Sequence, residues 1–297
     1  MIITGKKFSK PELSRVINGD TVLPNTDSTD TRRRLDHILV EKYPNYNRSS
    51  LQNFIKSGFA IVNGVPVTKP NTKIEDSSTI ELHLPPDQKI LPKLPIIYED
   101  DRVLVVNKPT GLLSMAKGEY CPEATLEDYG LLVHRLDRDT SGVVILAKDP
   151  TTQKMLRKQF QDRKTHKTYT ALVEGTPKLP EAMINLPISR NLKRPTTFQV
   201  DQNGKPSQTY YKVLMSHNNK SLLELKPTTG RTHQLRVHLK YLGTPILGDP
   251  VYGEAKSAPR LMLHAKELEI TIPSPNGNVR KTFQAPVPTE FQENYVF

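Results

Sequence analysis

Two short stretches of the chain concentrate the side chains that could carry chemistry. The first reads His134-Arg-Leu-Asp-Arg-Asp-Thr-Ser-Gly142 and runs straight into the apolar residues 143–147. It offers Asp137 and Asp139, two carboxylates among arginines, which suit nucleophilic or acid–base work. The second reads Thr229-Gly-Arg-Thr-His-Gln-Leu-Arg236 and continues to His238, at the opening of a predicted helix. An arginine at a helix start opposes the macrodipole, so some other group must hold it there. A carboxylate from the first stretch is the natural partner. A salt-bridged turn beside a buried strand has the same composition, so the residues alone leave both readings open.

Other chemistries have less support. His134, His166, His233, His238 and His264 include no pair at the i,i+4 spacing of a zinc helix, and Cys121 is the only cysteine; no metal site is expected. No glycine-rich phosphate cradle is present, so nucleotide chemistry is not expected either. Ser141-Gly142 and Ser114 lack the G-x-S-x-G elbow of a nucleophilic serine.

The elements around these stretches read as two domains. Residues 1–30 are polar and aperiodic, a flexible arm with at most a brief strand at 21–23. Residues 31–85 form a first module. Apolar spacing predicts a helix over 31–43, broken by Pro44, and a second one capped by Ser49 or Ser50 and stopped at Gly58. Asn63-Gly64 between two β-rich runs predicts a hairpin, and residues 79–84 alternate as a further strand. Pro85, Pro86, Pro92 and Pro95 mark a stiff linker over 86–95. Residues 96–297 form a larger domain. Strands are predicted at 96–98, 103–106, 143–147, 169–173, 208–215, 222–226 and 263–272, with helices over 150–163 and 232–242. The class is α+β: a small two-helix-plus-sheet module, then a larger mixed or antiparallel sheet.

Composition narrows the partner. The chain has 297 residues, 42 Lys+Arg against 31 Asp+Glu and a formal net charge of +11. Such an excess suits a polyanion, because cationic side chains displace counterions from phosphates. Its longest apolar runs fall far short of the ~20 residues a spanning helix needs, so no membrane association is expected. The first residues lack the pattern of a secretion signal, and a single cysteine suits a reducing compartment; a cytoplasmic, monomeric protein is expected.

The first stretch resembles the H-R-L-D-x-x-T-S-G signature of the pseudouridine synthases of the RluA type, in particular those acting on large-subunit ribosomal RNA. Thr229-Gly-Arg-Thr-His-Gln-Leu-Arg236 is similar to their G-R-T-H-Q-[IL]-R segment. Lys167-Thr-Tyr-Thr-Ala-Leu-Val-Glu-Gly175, Asn107-Lys-Pro-Thr-Gly-Leu-Leu113, Gly248-Asp-Pro-Val-Tyr-Gly253 and Leu263-His-Ala265 resemble further signatures in the same order. Arg34-Leu-Asp36, Arg48-Ser-Ser50 and Ile61-Val-Asn-Gly64 are similar to the S-four RNA-binding domain that precedes many of these enzymes. Residues 189–198 and 114–127 depart from the family pattern.

The resemblance implies an isomerase that converts uridine in RNA to pseudouridine, without metal or other cofactor. It makes Asp137 the catalytic carboxylate, with Arg231 paired to it and Tyr169 stacked on the uracil. Arg135 would fill the stack left by a flipped-out uridine. Arg34, Arg48 and Lys56 would hold RNA phosphates, a solvated basic face being the plainer reading. Ribosomal RNA is the first substrate expected and transfer RNA the second. A non-catalytic RNA-binding protein is one alternative. A glycoside hydrolase using Asp137 and Asp139 is another, and it would need two carboxylates opposed across roughly 5–9 Å.

Overall fold

The computed structural model describes residues 2–3, 32–44, 46–83, 91–116, 121 and 123–293. Among these, backbone contacts separate two compact units: 91–115 and 124–293 together with 2–3, and 32–83 together with Ala116, Cys121 and Glu123. No described helix is long and apolar enough to cross a membrane.

The larger unit is built on an 11-stranded sheet. Its strands run in the order Ile2–Ile3, Glu181–Asn185, Gln208–His217, Lys220–Pro227, His166–Glu174, Leu263–Ser274, Ser141–Ala147, Val103–Lys108, Ile96–Glu99. Gly277–Gln284 adds to Leu263–Ser274, and Leu131–Leu132 to Ser141–Ala147. Most pairs are antiparallel, but Ser141–Ala147 runs parallel to Leu263–Ser274, so the sheet is mixed. Both faces are covered. Val103, Val105, Val143 and Ile145 enter one core with Leu156 of the helix Pro150–Gln161. Leu104, Val106, Val144 and Leu146 enter another, with Leu112, Leu126 and Leu136. Alternation with period two sends neighbours on one strand to opposite faces, which explains why these strands read as apolar throughout.

The helix Pro150–Gln161 starts where Asp149 accepts from Thr152 N at 2.9 Å and proline takes the first turn. The helix expected over 232–242 is Gln234–Tyr241; it begins later because His233 takes the left-handed conformation, φ 55°. Its Leu235 and Leu239 join a third core with Ala171, Val173, Leu223 and Leu225. Ile2–Ile3 pairs in parallel with Met183 and Ile184 at one end of the strand order. The brief strand expected at 21–23 and the rest of the arm lie outside the described residues, as does the first half of the expected linker, residues 86–90.

The smaller unit has helices Leu35–Lys42 and Arg48–Lys56, a three-stranded sheet and a two-stranded ribbon over one apolar core. Asn63 and Gly64 both have positive φ, as a tight hairpin requires. The second helix is capped by Asn47, whose side chain accepts from Ser50 N at 3.0 Å, rather than by either serine. Asp36 is fully buried and accepts from Arg34, Arg48 and Gln52. Those contacts offset the burial that opposes its charge and hold its carboxyl far below the usual range. Arg34 and Arg48, expected on phosphates, are thus also internal counter-ions, with side chains 44% and 51% exposed. Lys56 is exposed at the end of its helix.

Gly142 has a strict steric requirement at the start of the strand Ser141–Ala147. Its φ is 118°, and a Cβ there would lie 2.2 Å from Ala265 O. The glycine lets Ser141–Ala147 approach Leu263–Ser274 in the parallel register Gly142↔Ala265. Gly142→Ala should cost the fold at least ~3 kcal/mol, because the obstructing atom is backbone and cannot turn away. Thermal unfolding should register this as a drop of roughly 6–12 °C in Tm; an unchanged Tm would show that the two strands separate freely.

Candidate active site

The residues 134–140 form an irregular link between Leu131–Leu132 and Ser141–Ala147, and polar contacts fix it from both sides. Leu136 is buried between Ser114 contacts: Ser114 Oγ donates to Leu136 O at 2.7 Å and accepts from Leu136 N at 3.1 Å. The fully buried Lys108 ammonium donates to Arg138 O, Leu112 O and Pro109 O at 2.8–2.9 Å. Burial pulls its pKa down to about 7, against the attraction of Asp139 and Asp137. Three carbonyl acceptors need three N–H donors, which only the protonated amine supplies. Thr110 Oγ1 donates to Asp139 O, and Gly111 N to Arg138 O. His134 closes the near end: its Nε2 accepts from Ile145 N at 3.1 Å and its ring stacks on Phe160. Burial lowers it to about 3, so it is neutral and structural.

So held, Asp137 opens into a cavity of about 120 Å³ with Arg135, Tyr169, Arg231, His233 and Arg236 in its wall. The expected site residues therefore meet in one place. Asp139 does not line this cavity, and Arg138 turns back to donate to Gly111 O. Asp137 is the cavity's single carboxylate among the described residues, which removes the opposed pair that a glycoside hydrolase needs.

The expected pairing of Asp137 with Arg231 is corrected. Arg231 lies before the helix, where its Nε donates to Pro206 O at 3.2 Å. The ion pair comes from Arg236, one turn on, whose Nη1 lies 3.4 Å from Asp137 Oδ2. Arg236 is nearly buried, with its side chain 5% exposed, while Asp137 keeps 20%. Its Nε and Nη2 grip both oxygens of the fully buried Asp249 at 2.8 and 2.7 Å. Val251 N and Tyr252 N also donate to Asp249. Burial opposes both charges, but their mutual hydrogen bonds prevail: Arg236 is held above its usual range and Asp249 below its own. The first residues of the segment orient this helix. Gln234, buried, accepts from Arg231 N and Thr229 Oγ1 and donates to Gln208 O.

His233 approaches from the other side, its Nε2 3.9 Å from Asp137 Oδ2. Tyr252 OH accepts from Phe198 N, which directs its own hydrogen to His233 Nδ1 at 2.8 Å. The network thus assigns the ring hydrogen of the neutral imidazole to Nε2. Burial lowers His233 despite Asp137 nearby. Burial, then the charge of Asp137, push the Tyr169 phenol far up, so it stays protonated. One anionic oxygen pair, a guanidinium and a neutral phenol thus surround a space fit for a planar, uncharged ring. Lys108, Ser114, His233, Arg236 and Asp249 were not singled out as site residues, although all except Ser114 lie inside the quoted signatures.

Arg236→Met should lower stability by about 3–5 kcal/mol, since Asp249 would remain buried without a counter-charge. The pH dependence identifies the cause. In the native chain the depressed Asp249 carboxyl contributes stability above its unfolded pKa, near 3.9, and this is lost as pH falls below it. In the variant burial alone raises that carboxyl, so protonation relieves the penalty. The stability difference should narrow towards pH 4; a constant difference in chemical denaturation from pH 8 to pH 4 would rule this out.

A family model described as RNA pseudouridylate synthase matches residues 102–241. An uncharacterized RNA pseudouridine synthase of Aquifex aeolicus is 37% identical over 254 residues, 77% of this chain and 80% of that protein. The ribosomal large subunit pseudouridine synthase D of Borreliella burgdorferi is 36% identical over 292 residues, 87% of each chain. The dual-specificity RNA pseudouridine synthase RluA of Escherichia coli is 42% identical over 219 residues, 70% of this chain and 98% of its own. Among solved structures, human RNA pseudouridylate synthase domain containing 1 aligns with a TM-score of 0.58 and 31% identity, over 68% of this chain and 87% of that one. With the cavity carboxylate Asp137 inside the matched residues 102–241, and relatives 36–37% identical across 77–87% of its length, the chain belongs to the RNA pseudouridylate synthase family.

Proposed function

We propose that this RNA pseudouridine synthase acts on large-subunit ribosomal RNA, with Asp137 as its catalytic carboxylate. The observation that carries the site assignment is the solitary, half-open Asp137 facing protonated Tyr169 in a cavity beside buried Arg236. Pseudouridine formation breaks the bond from the ribose carbon to uracil N1, turns the base and rejoins the ribose to C5. The hydrogen leaves C5 and N1 gains one, so atoms and electrons balance without oxidant or reductant. Asp137 assists cleavage of the first bond as nucleophile or base. Tyr169 stacks on the uracil and passes on the C5 proton. Arg231 contacts the substrate from the same wall, and Arg135, which is exposed, takes the place of the flipped base in the RNA stack.

The preference for ribosomal RNA follows the relatives whose similarity spans both units. The synthase D protein covers 87% of this chain, against 70% for the dual-specificity protein. We read residues 31–85 as an S-four-like RNA-binding domain in which Arg34 and Arg48, oriented by Asp36, and Lys56 meet phosphates. We read the protein as a cytoplasmic monomer.

Asp137→Asn preserves shape and hydrogen bonding but removes the carboxylate. Pseudouridine formation in a large-subunit RNA transcript should fall below about a thousandth of the native rate while RNA binding persists. Appreciable turnover would move the catalytic carboxylate elsewhere. Tyr169→Phe retains the ring and loses only the hydroxyl. A fall of ~100-fold or more in single-turnover rate, with unchanged affinity, is expected if that hydroxyl carries the proton. A native rate would leave Tyr169 a stacking role alone.

A further inference from the structure

A second cavity, of about 400 Å³, adjoins the first and shares Arg135, Lys167, Tyr169, Gly230 and Arg231 with it. We propose that this second cavity is an RNA subsite, holding the nucleotide next to the target uridine with Arg163 and Lys167 on its phosphate. The proposal rests on the reading of the Asp137 cavity as the uridine site.

Charge is the first argument. Four cationic side chains, Arg135, Arg163, Lys167 and Arg231, line the space, and no Asp or Glu does. Among the described residues none of the four is paired with a carboxylate: Arg231 donates to Pro206 O, Arg135 to Met115 Sδ and Lys167 to Thr229 O. The nearby His134 is neutral and its Nε2 is occupied by a backbone N–H. Within this cavity the like charges have no carboxylate among them, although Arg163 and Lys167 also border a neighbouring cleft that holds Glu224, Glu267 and Glu269; a bound anion relieves the repulsion on the cavity side. Lys167 is largely withdrawn from water, and burial lowers it to about 8; a neighbouring phosphate would favour its charged form further.

Backbone geometry supplies two further observations. Arg163 follows the Pro150–Gln161 helix with φ 57°, at a position where glycine or asparagine is usual. An arginine there accepts local strain, which suits a side chain retained for a contact rather than for the turn. Gly230 shows the converse. It has no left-handed φ, and a Cβ would meet only Lys167 Nζ, at 4.0 Å. The fold has room for a side chain at residue 230, and glycine leaves the shared space between the two cavities open.

The volume lies within the range of small-ligand sites, and the common wall favours a ligand that continues from one cavity into the next. An RNA strand does so: its base edge enters beside Asp137 while its backbone meets the cations of the shared wall and of the second cavity. The adjoining Phe160 and His134 rings, stacked at 4.5 Å, add an aromatic margin of the kind unpaired bases meet.

The test compares Arg163→Gln with Arg280→Gln, which removes the same charge from the Gly277–Gln284 strand and lines neither cavity. Affinity for a large-subunit RNA transcript is measured across salt concentrations. Arg163→Gln should bind several-fold more weakly, with a slope of log affinity against log salt reduced by about one; Arg280→Gln should keep the native slope. A short RNA that the native enzyme modifies is then remade with one uncharged methylphosphonate linkage on either side of the target uridine. One of the two linkages should weaken binding by the native enzyme and have little effect on Arg163→Gln. Equal losses in both proteins at each linkage, or a native slope in Arg163→Gln, would overturn the subsite. Binding of inorganic phosphate without any effect of the neutral linkages would overturn it as well. If the native enzyme forms no pseudouridine in any RNA, the reading of the Asp137 cavity fails instead, a result separate from these.

Discussion

A guanidinium withdrawn from water governs the centre of this protein. Arg236 is too buried to be neutralised by solvent, so the chain must supply its counter-charges. Asp249 does most of this, with two short parallel bonds and two backbone N–H groups holding its own oxygens. Asp137 receives the remaining Nη1, at a longer 3.4 Å. The inequality matters for function. A carboxylate gripped as tightly as Asp249 is a structural ion; one held at arm's length, with a fifth of its side chain open, remains available to a substrate.

The position of Asp137 depends on packing as much as on charge. Its neighbour Leu136 is anchored in the core with Val144, Leu146 and Ala265, and Ser114 holds both of the Leu136 backbone polar groups. Two residues beyond, Lys108 draws together three carbonyls from two segments far apart in sequence. The irregular backbone of 134–140 therefore has little freedom to displace the carboxylate. Gly142 then returns the chain to the sheet at a point where no side chain fits. Arg236 reaches the same spot from a helix laid on another core, so the two halves of the ion pair are positioned independently and meet across the cavity.

Much of this is legible in the sequence. The apolar run at 143–147, the proline-started helix after Asp149 and the Asn63-Gly64 turn are local signals, and each appears where its chemistry requires. The mixed sheet and the gathering of Asp137, Tyr169 and Arg231 followed from the family resemblance. The resemblance implied Arg231 as the partner of Asp137, whereas the ion pair is made by Arg236. His233 adopts a left-handed conformation and the helix starts at Gln234, which places Arg236 in its first turn, facing Asp249 and Asp137. The burial of Arg236 and the partnership with Asp249 are tertiary facts with no local pattern. Asp36 makes the same point: its arginine partners read as a surface for RNA, yet they also neutralise a buried carboxylate.

The electrostatics divide the site according to what each part of an RNA strand carries. Within the Asp137 cavity, Tyr169 is protonated, His233 is neutral, and the charge of Asp137 is matched by Arg236. Uracil is uncharged, and the Asp137–Arg236 contact keeps the carboxylate compensated when a base excludes water. Arg135, Lys167 and Arg231 lie on the wall common to both cavities, and Arg163 continues the positive charge into the second, which no Asp or Glu lines. Moving the carboxylate outward into the second cavity would repel the backbone. This separation of the carboxylate from the second cavity, with Tyr169 and Gly230 also on the common wall, lets one strand meet Asp137 with its base and the cations with its backbone. The same separation explains why a chain of net charge +11 can present an anionic group to a polyanion without driving it away.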